Sequence, residues 1–151
     1  RRDVIKTPLA STEGTVIETA VPLLAAPIFP GGLQLWEGAR QVLPSAELCL
    51  GGLPEAIEAQ AGVVLLLDQI RQGDELIELL RRLEQLGVEA PRLRVITALT
   101  ASPGLKQIGE TYPEITIHTA CIDADLDEQG RILPGIGDPL QRLGIRTAQP
   151  H

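Results

Sequence analysis

Val63-Val64-Leu65-Leu66-Leu67 is an unbroken apolar run without polar alternation. A run of that length reads as a strand buried on both faces, since a half-solvated strand would alternate. The period then changes. Between Asp74 and Leu86, the residues Leu76, Leu79, Leu80, Leu83 and Leu86 form one stripe, Arg81, Arg82 and Glu84 lie off it, and Gly87 follows as a stop. That spacing predicts an amphipathic helix over Asp74–Leu86. The same two patterns recur along the chain. Val16–Ala26, Glu47–Leu50, Arg94–Leu99 and Ile115–Ile122 read as further strands. Gly32–Leu43, with Leu33, Trp36, Ala39 and Val42 at helical spacing, reads as a helix, and Pro54–Gln60 as a helical turn or short helix. A last helix starts at Ser102 as N-cap with Pro103 at N1, and stops at Pro113.

Strands that alternate with helices need crossover connections. The fold class expected is therefore α/β, a mostly parallel open sheet with helices on both faces, Rossmann-like in plan. Ligands of such sheets sit beyond the carboxyl ends of the strands. The loops of interest are then Ala26–Gly32, Asp68–Asp74, Thr100–Gly104 and Asp123–Asp138. Pro- and Gly-rich turns at Pro27–Gly32, Gly51–Pro54 and Pro134–Pro139 are too short to be linkers, and no internal repeat is present.

Composition narrows the function classes. At 151 residues the chain fits one domain, with 44% hydrophobic residues to build a core. Twenty acidic against thirteen basic residues leave a net charge of −7. Such a surface repels phosphate backbones and anionic lipids, so no nucleic-acid partner and no membrane insertion are expected. Phe29, Trp36 and Tyr112 are the whole aromatic complement, too few for a base-stacking platform. Cys49 and Cys121 are far apart, with no CxxC pair and no Cys/His cluster, so a structural zinc site lacks support. A disulfide between them stays open, but two reduced, small apolar residues of a cytoplasmic protein are the expectation. Arg1-Arg2-Asp3 opens no signal-peptide pattern, and no apolar run reaches the ~20 residues of a membrane span. The abrupt opening leaves room for a longer native polypeptide. His118 has no second histidine nearby and reads as a core or edge residue of its strand. Asp123, Asp125 and Asp127 are spaced like the start of a calcium loop, but Glu128 and Pro134 stand where that loop needs Gly and Glu.

One stretch is more specific. Ala120-Cys-Ile-Asp123-Ala-Asp-Leu-Asp-Glu-Gln-Gly130-Arg-Ile-Leu-Pro134-Gly135-Ile-Gly137-Asp138-Pro-Leu-Gln-Arg142 resembles the C-terminal signature of the uracil phosphoribosyltransferase family, A-x-I-D-x-x-L-[ND]-x-x-G-Y-I-x-P-G-[LI]-G-D-A-G-D-R. Upstream, Thr7-Pro8-Leu9 with Glu13-Gly14, Val21-Pro22-Leu23-Leu24, Leu43-Pro44-Ser45-Ala46, Leu66-Leu67-Asp68 and Thr100-Ala-Ser-Pro-Gly104 are similar to further family motifs. The resemblance spans nearly the whole chain, 1–151, as a single phosphoribosyltransferase-like domain that lacks the family's N-terminal helical region. It implies a phosphoribosyltransferase fold and transfer of a phosphoribosyl group from its magnesium-bound pyrophosphate onto uracil to give UMP. In the Pro134–Asp138 loop and just before it, the resemblance implies base contacts by Ile132, Pro134, Gly135, Ile136, Gly137 and Asp138, with Asp138 the candidate catalytic residue. It also implies a homo-oligomer, for which Phe29, Leu33 and Trp36 are candidate interface residues, Trp36 being equally a candidate for the core.

Against that frame several departures stand out. The family cradles the 5′-phosphate in a loop of the form D-P-M-L-A-T-G-G-S, whose small residues let backbone N–H groups converge at a helix start. Here the sequence reads Asp68-Gln69-Ile70-Arg71-Gln72-Gly73-Asp74-Glu75-Leu76. The cradle residues are gone, and Asp74 and Glu75 bring like charge, at about 4 kcal/mol per unit pair at ~4 Å near a surface. Asp74 and Glu75 also suit the first turn of a helix on dipole grounds alone. Arg71 is the one cation of the segment. The family's I-L-R-A-G turn is Leu24-Ala25-Ala26-Pro27, without its arginine, and Leu50–Gly62 is a short connection without Lys, Arg or Tyr in place of a long basic hood. Arg131 replaces a tyrosine, and Pro139-Leu140 replaces Ala-Gly. The expectation is a degenerate member whose phosphate loop (Asp68, Arg71, Gly73, Asp74, Glu75) has lost catalysis, and which serves as a binding, regulatory or assembly subunit with a possible protein partner. The alternative is an active salvage enzyme with magnesium.

Overall fold

The computed structural model describes residues 2–16, 18 and 20–146. It is built on a five-stranded, wholly parallel sheet in the order β4-β3-β5-β6-β7. The strands are β3 (Leu23–Pro27), β4 (Glu47–Leu48), β5 (Gly62–Ile70), β6 (Leu93–Ala101) and β7 (Thr116–Asp123). They are preceded by an antiparallel hairpin, β1 (Arg2–Lys6) and β2 (Ser11–Thr15), and followed by a short one, β8 (Asp125–Leu126) and β9 (Ile132–Leu133). Helices α1 (Gly32–Ala39), α2 (Asp74–Gln85) and α3 (Ser102–Thr111) connect the strands, and a turn of helix, α4 (Pro139–Arg142), closes the base of the last loop.

β5 is the central strand, and its side chains alternate between two cores. Val63, Leu65 and Leu67 join Ala26, Val95 and the α2 residues Leu76, Ile77, Leu80 and Leu83, with Ile108 of α3, on one face. Val64 and Leu66 meet Ala25 and Trp36 of α1 on the other. This double burial is why the run lacks polar alternation, and it fulfils the expected architecture of helices on both faces.

Helix α2 ends as its sequence predicts. Gly87 takes a positive φ of 76°, its N–H donates to Glu84 O, and Val88 N–H donates to Leu83 O, satisfying the last carbonyls. Its buried stripe is rotated slightly: Ile77 is buried, while Leu79 and Leu86 are half-buried.

Several boundaries differ from the sequence expectations. The strand placed at Val16–Ala26 is β3, Leu23–Pro27. Val21 N–H closes a turn onto Glu18 O just before it, and Pro22 has no N–H to offer a ladder. Ile17 and Thr19 of that stretch, like Arg1, lie outside the described residues. The first helix stops at Ala39, because Val42 and Leu43 N–H both turn back to Ala39 O, leaving Val42 exposed. Pro54–Gln60 is irregular, not helical. Arg92 gathers the carbonyls that end it, Glu58 O at 2.9 Å and Ala61 O at 2.7 Å. β5 runs on to Ile70, since Gln69 and Ile70 still pair with Leu99 and Thr100 of β6. Ser102 does not cap α3: Ala101 is the cap residue, and the Ser102 hydroxyl donates instead to Asp123 O of β7 at 3.2 Å. Cys121 is exposed on β7 and Cys49 is half-buried; both are free thiols. No helix among the described residues is long and apolar enough to cross a membrane.

Candidate functional site

The order in which the chain adds strands across the sheet reverses between β3 and β5. From β3 the chain moves through α1 to β4 on one side, and from β5 it moves through α2 and α3 to β6 and β7 on the other. A crevice opens beyond the carboxyl ends at such a switch point. Here it is a cleft of about 680 Å³, walled by Phe29 and Pro30 after β3, Leu67–Gln72 at the end of β5, the first turn of α2, the β8–β9 turn (Glu128–Gly130), and Asp138–Leu140.

Two glycines let the β3 side approach. A Cβ on Gly31 would overlap the Asp68 side chain, and one on Gly32 would overlap Leu66 O. The start of α1 therefore lies directly on the end of β5 and holds Asp68 at the cleft wall, where its Oδ1 accepts from Gln69 N–H at 2.8 Å.

The electrostatics of the cleft are one-sided. Asp68, Asp74, Glu75, Glu128 and Asp138 line it, with Arg71 as the single cation. Arg71 is exposed and forms no ion pair with them among the described residues. At the start of α2, Gly73 N–H donates to Oε1 of Gln107 at 2.9 Å, and Nε2 of Gln107 donates to Asp74 Oδ1 at 2.6 Å. A helix start is ordinarily where backbone donors meet an anion. Here the α3 side chain takes the N-cap N–H of buried Gly73, while the first-turn residues Asp74, Glu75 and Leu76 line the cleft.

The structure divides the residues singled out in the sequence. Asp68, Arg71, Asp74, Glu75 and Asp138 meet in the cleft, so the phosphate-loop segment and the end of the base loop do converge. Asp68 belongs to β5, so the loop proper shrinks to Arg71–Gly73. Gly73 is buried against Gln107 and Ile108. Ile132 does not face the cleft: it is buried with Leu99, Ala101 and Leu126. Pro134, Ile136 and Gly137 are exposed and Gly135 is half-buried; together they form the shoulder of the loop outside the cleft lining, with positive φ at Gly135 (61°) and Gly137 (73°). Two of that loop's polar backbone groups are committed internally: Gly135 N–H donates to Asp123 Oδ2 at 2.9 Å, and Ile136 O accepts from Arg142 Nε. Asp138 Oδ1 accepts from Leu140 N–H at 2.9 Å and so caps α4.

The acidic run on the β8–β9 hairpin is built for its turn. Asp127 Oδ1 accepts from Arg131 N–H at 2.8 Å and Gln129 N–H at 2.9 Å, and Oδ2 from Arg131 Nε at 2.7 Å. These bonds, led by the Arg131 N–H, hold the Asp127 carboxyl below its ordinary pKa. Arg131, in the place of the family's tyrosine, is thereby drawn to Asp127. Among the described residues no group of three or more His, Cys, Asp or Glu side chains is arranged to hold a metal ion. Gln107, Gln72, Glu128 and Asp123 were not singled out for the site by sequence reasoning. Asp123 and Glu128 lie within the C-terminal signature and Gln72 within the phosphate-loop segment; Gln107 carried no signal.

Sheet order, crossovers and a cleft at the switch point define an α/β domain of the phosphoribosyltransferase kind. A solved structure, that of the AQ2163 protein from Aquifex aeolicus, superimposes with a TM-score of 0.72 over 95% of this chain and 74% of that one, at 25% identity. A family model described as uracil phosphoribosyltransferase matches residues 1–143. The chain is 35% identical to the uracil phosphoribosyltransferase of Synechococcus elongatus, across 92% of this chain and 71% of that protein. It is 31% identical to that of a Nostoc species, across 92% and 72%. The chain belongs to the uracil phosphoribosyltransferase family.

Proposed function

We propose that this protein is a uracil phosphoribosyltransferase homologue whose cleft no longer performs phosphoribosyl transfer, and that it acts in the cytoplasm as a binding, regulatory or assembly subunit. The observation that carries the reading is the charge of the cleft: five carboxylates face one unpaired arginine where a sugar phosphate and a magnesium-bound pyrophosphate would have to sit. Stabilising a departing pyrophosphate requires preorganised cations and N–H donors. β3 ends in Ala25-Ala26-Pro27 without a cation, and the start of α2 presents Asp74 and Glu75.

A homo-oligomer fits this role. The β1–β2 hairpin projects with Val4 and Ile5 exposed and Leu9 at its turn 98% exposed. A lone two-stranded ribbon is marginal in water, so a covering surface, a second copy of the chain, would stabilise it.

A specific observation favours the other reading, an active enzyme making UMP from uracil and phosphoribosyl pyrophosphate. The loop Pro134–Asp138 keeps its signature residues and its two positive-φ glycines, and Asp138 reaches the cleft. Relatives of similar sequence carry the enzyme's name. One experiment separates the two. The protein is titrated with phosphoribosyl pyrophosphate and magnesium while thermal unfolding is followed, then incubated with radiolabelled uracil. A ligand at a hundredfold excess over its Kd stabilises by about 2.7 kcal/mol, a shift of several degrees. We expect no saturable shift and no labelled UMP. Either one reinstates the enzyme.

A further inference from the structure

We propose that a second cleft, at the amino end of the sheet, binds a small organic amine, taking its apolar body against Leu24 and Ala61 and its ammonium group at Glu47 and Glu58. The inference goes beyond the reading above and is independent of it, since none of the residues that line this cleft lines the one at the switch point.

The cleft exists because one crossover carries no helix. Helices α1, α2 and α3 connect the other strands of the sheet, but the connection from β4 to β5 is irregular, with positive φ at Gly51 (81°) and Gly52 (123°) and Pro54 soon after. Leu53 of that connection is buried in the larger core and Ile57 packs against it, yet together they leave the start of β3 incompletely covered. What remains is a cavity of about 390 Å³, within the roughly 300–1,000 Å³ that small-molecule sites occupy. Leu24 and Ala61, both buried, form its floor, and the half-buried Leu23, Cys49 and Ile57 its walls.

The rim carries the opposite character. Ser45, Glu47 and Glu58 are exposed there, and among the described residues no Lys, Arg or His lines the cleft. Neither side-chain carboxylate has an ion pair among the described residues. The guanidinium of Arg92, which reaches the same segment, is committed to backbone carbonyls instead: Glu58 O at 2.9 Å, Ala61 O at 2.7 Å and Gly87 O at 3.0 Å. An apolar floor below two uncompensated carboxylates selects a molecule of matching layout, hydrocarbon at one end and ammonium at the other. An alcohol of the same length gains the burial without the charge pairing. A carboxylic acid meets like charge at the rim, and a one-carbon amine has no body to bury.

The test titrates the full chain with hexylamine, hexan-1-ol, hexanoate and methylamine while the backbone amide resonances of Leu24, Cys49, Ile57 and Ala61 are followed. Hexylamine is expected to move these resonances saturably, and to bind about tenfold tighter than hexan-1-ol, the discrimination that two exposed ion pairs together supply. Hexanoate and methylamine should leave them unmoved. In Glu47→Gln/Glu58→Gln, hexylamine should fall to the affinity of the alcohol. Equal binding of amine and alcohol by the unaltered protein, an affinity for the amine that survives the double substitution, or shifts confined to Asp68, Asp74 and Glu75 at the other end of the sheet would each overturn the proposal. Cys49 gives a second reading that does not depend on the double variant folding. In a chain carrying only Cys121→Ser, hexylamine should slow alkylation of Cys49 by iodoacetamide, and methylamine should not; a rate that hexylamine leaves unchanged overturns the site.

Discussion

Asp123 and Gly135 are joined across twelve residues by a single hydrogen bond, Gly135 N–H to Asp123 Oδ2 at 2.9 Å. Asp123 is the last residue of β7, and its carbonyl also receives the Ser102 hydroxyl from the start of α3. The strand end therefore ties the loop Pro134–Asp138 to the body of the sheet. Gly135 meets the carboxylate with φ at 61°, where an added Cβ would overlap Ile132 O. Asp123→Ala removes a charged acceptor from a half-buried donor, at a cost of about 1–2 kcal/mol. We expect the midpoint of thermal unfolding to fall by roughly 2–8 °C. Asp123→Asn retains an acceptor oxygen and should lose less than half as much. Equal losses for the two would mean that the negative charge, not the acceptor, is what the loop requires.

Two glycines of α3 should respond oppositely to the same change. Gly104 is buried, and a Cβ there would run into the backbone carbonyl of Arg71, which cannot yield as a flexible side chain would. Gly109 lies one turn and a half further on, with nothing within 4 Å of a Cβ. Gly109→Ala gains helix propensity, about 0.5–1 kcal/mol, and should raise stability. Gly104→Ala must push α3 off the Arg71–Gly73 segment, and should cost on the order of 1–3 kcal/mol as overpacking does. Urea unfolding of both variants checks the sign of each.

Trp36 is only 9% exposed, packed on Ala25, Val64 and Leu66. It is thus the core residue of the face that α1 covers, and Phe29, 49% exposed beside the cleft, is the accessible aromatic of that turn. Trp36→Ala should lower stability by about 3–5 kcal/mol. Sedimentation of the folded variant at low temperature should give the same mass as the unaltered protein; a smaller mass would make Trp36 an interface anchor after all.

The parts legible in the sequence were those in which one local pattern had one structural meaning. The run Val63–Leu67 needed burial on both faces, and the Asp74–Leu86 stripe with Gly87 specified a helix and its end. Pattern gave out where a distant partner decided the local state. Asp68 and Gln69 look like loop residues, yet the β6 ladder carries the strand past them. Pro54–Gln60 has a helical composition, but Arg92 holds the end of the segment by its carbonyls. The hairpin β1–β2 shows no alternation of apolar and polar positions, because nearly all its side chains are exposed on both faces. The convergence of Asp68, Asp74, Glu75 and Asp138 was foreshadowed by the family resemblance. Gln107 was not, since an exposed-looking glutamine in a helix carries no mark of the carboxylate and glycine it will meet 33 and 34 residues away.

The β8–β9 turn makes a prediction about acid. Asp127 is held below its ordinary pKa of 3.8, first by the N–H of Arg131, then by the Arg131 guanidinium and the N–H of Gln129, with desolvation opposing them. A carboxylate depressed in the folded state contributes stability that is fully present above its unfolded pKa, and loses it as pH falls through the lower folded value. The contribution of Asp127 is therefore intact at pH 7 and fades below about pH 4. Asp127→Asn keeps the side chain's size but removes the charge that Arg131 and the two backbone donors select. The variant should be less stable than the unaltered protein at pH 7, and the gap between their urea midpoints should narrow steadily as the buffer is taken from pH 5 towards pH 2. Because Leu126 and Ile132 anchor this hairpin against Leu99 and Ala101, loosening of the turn should register in unfolding of the body and not only in local fraying. A gap that stays constant with pH would mean that Asp127 acts through geometry that the asparagine also lacks, and that its titration plays no part.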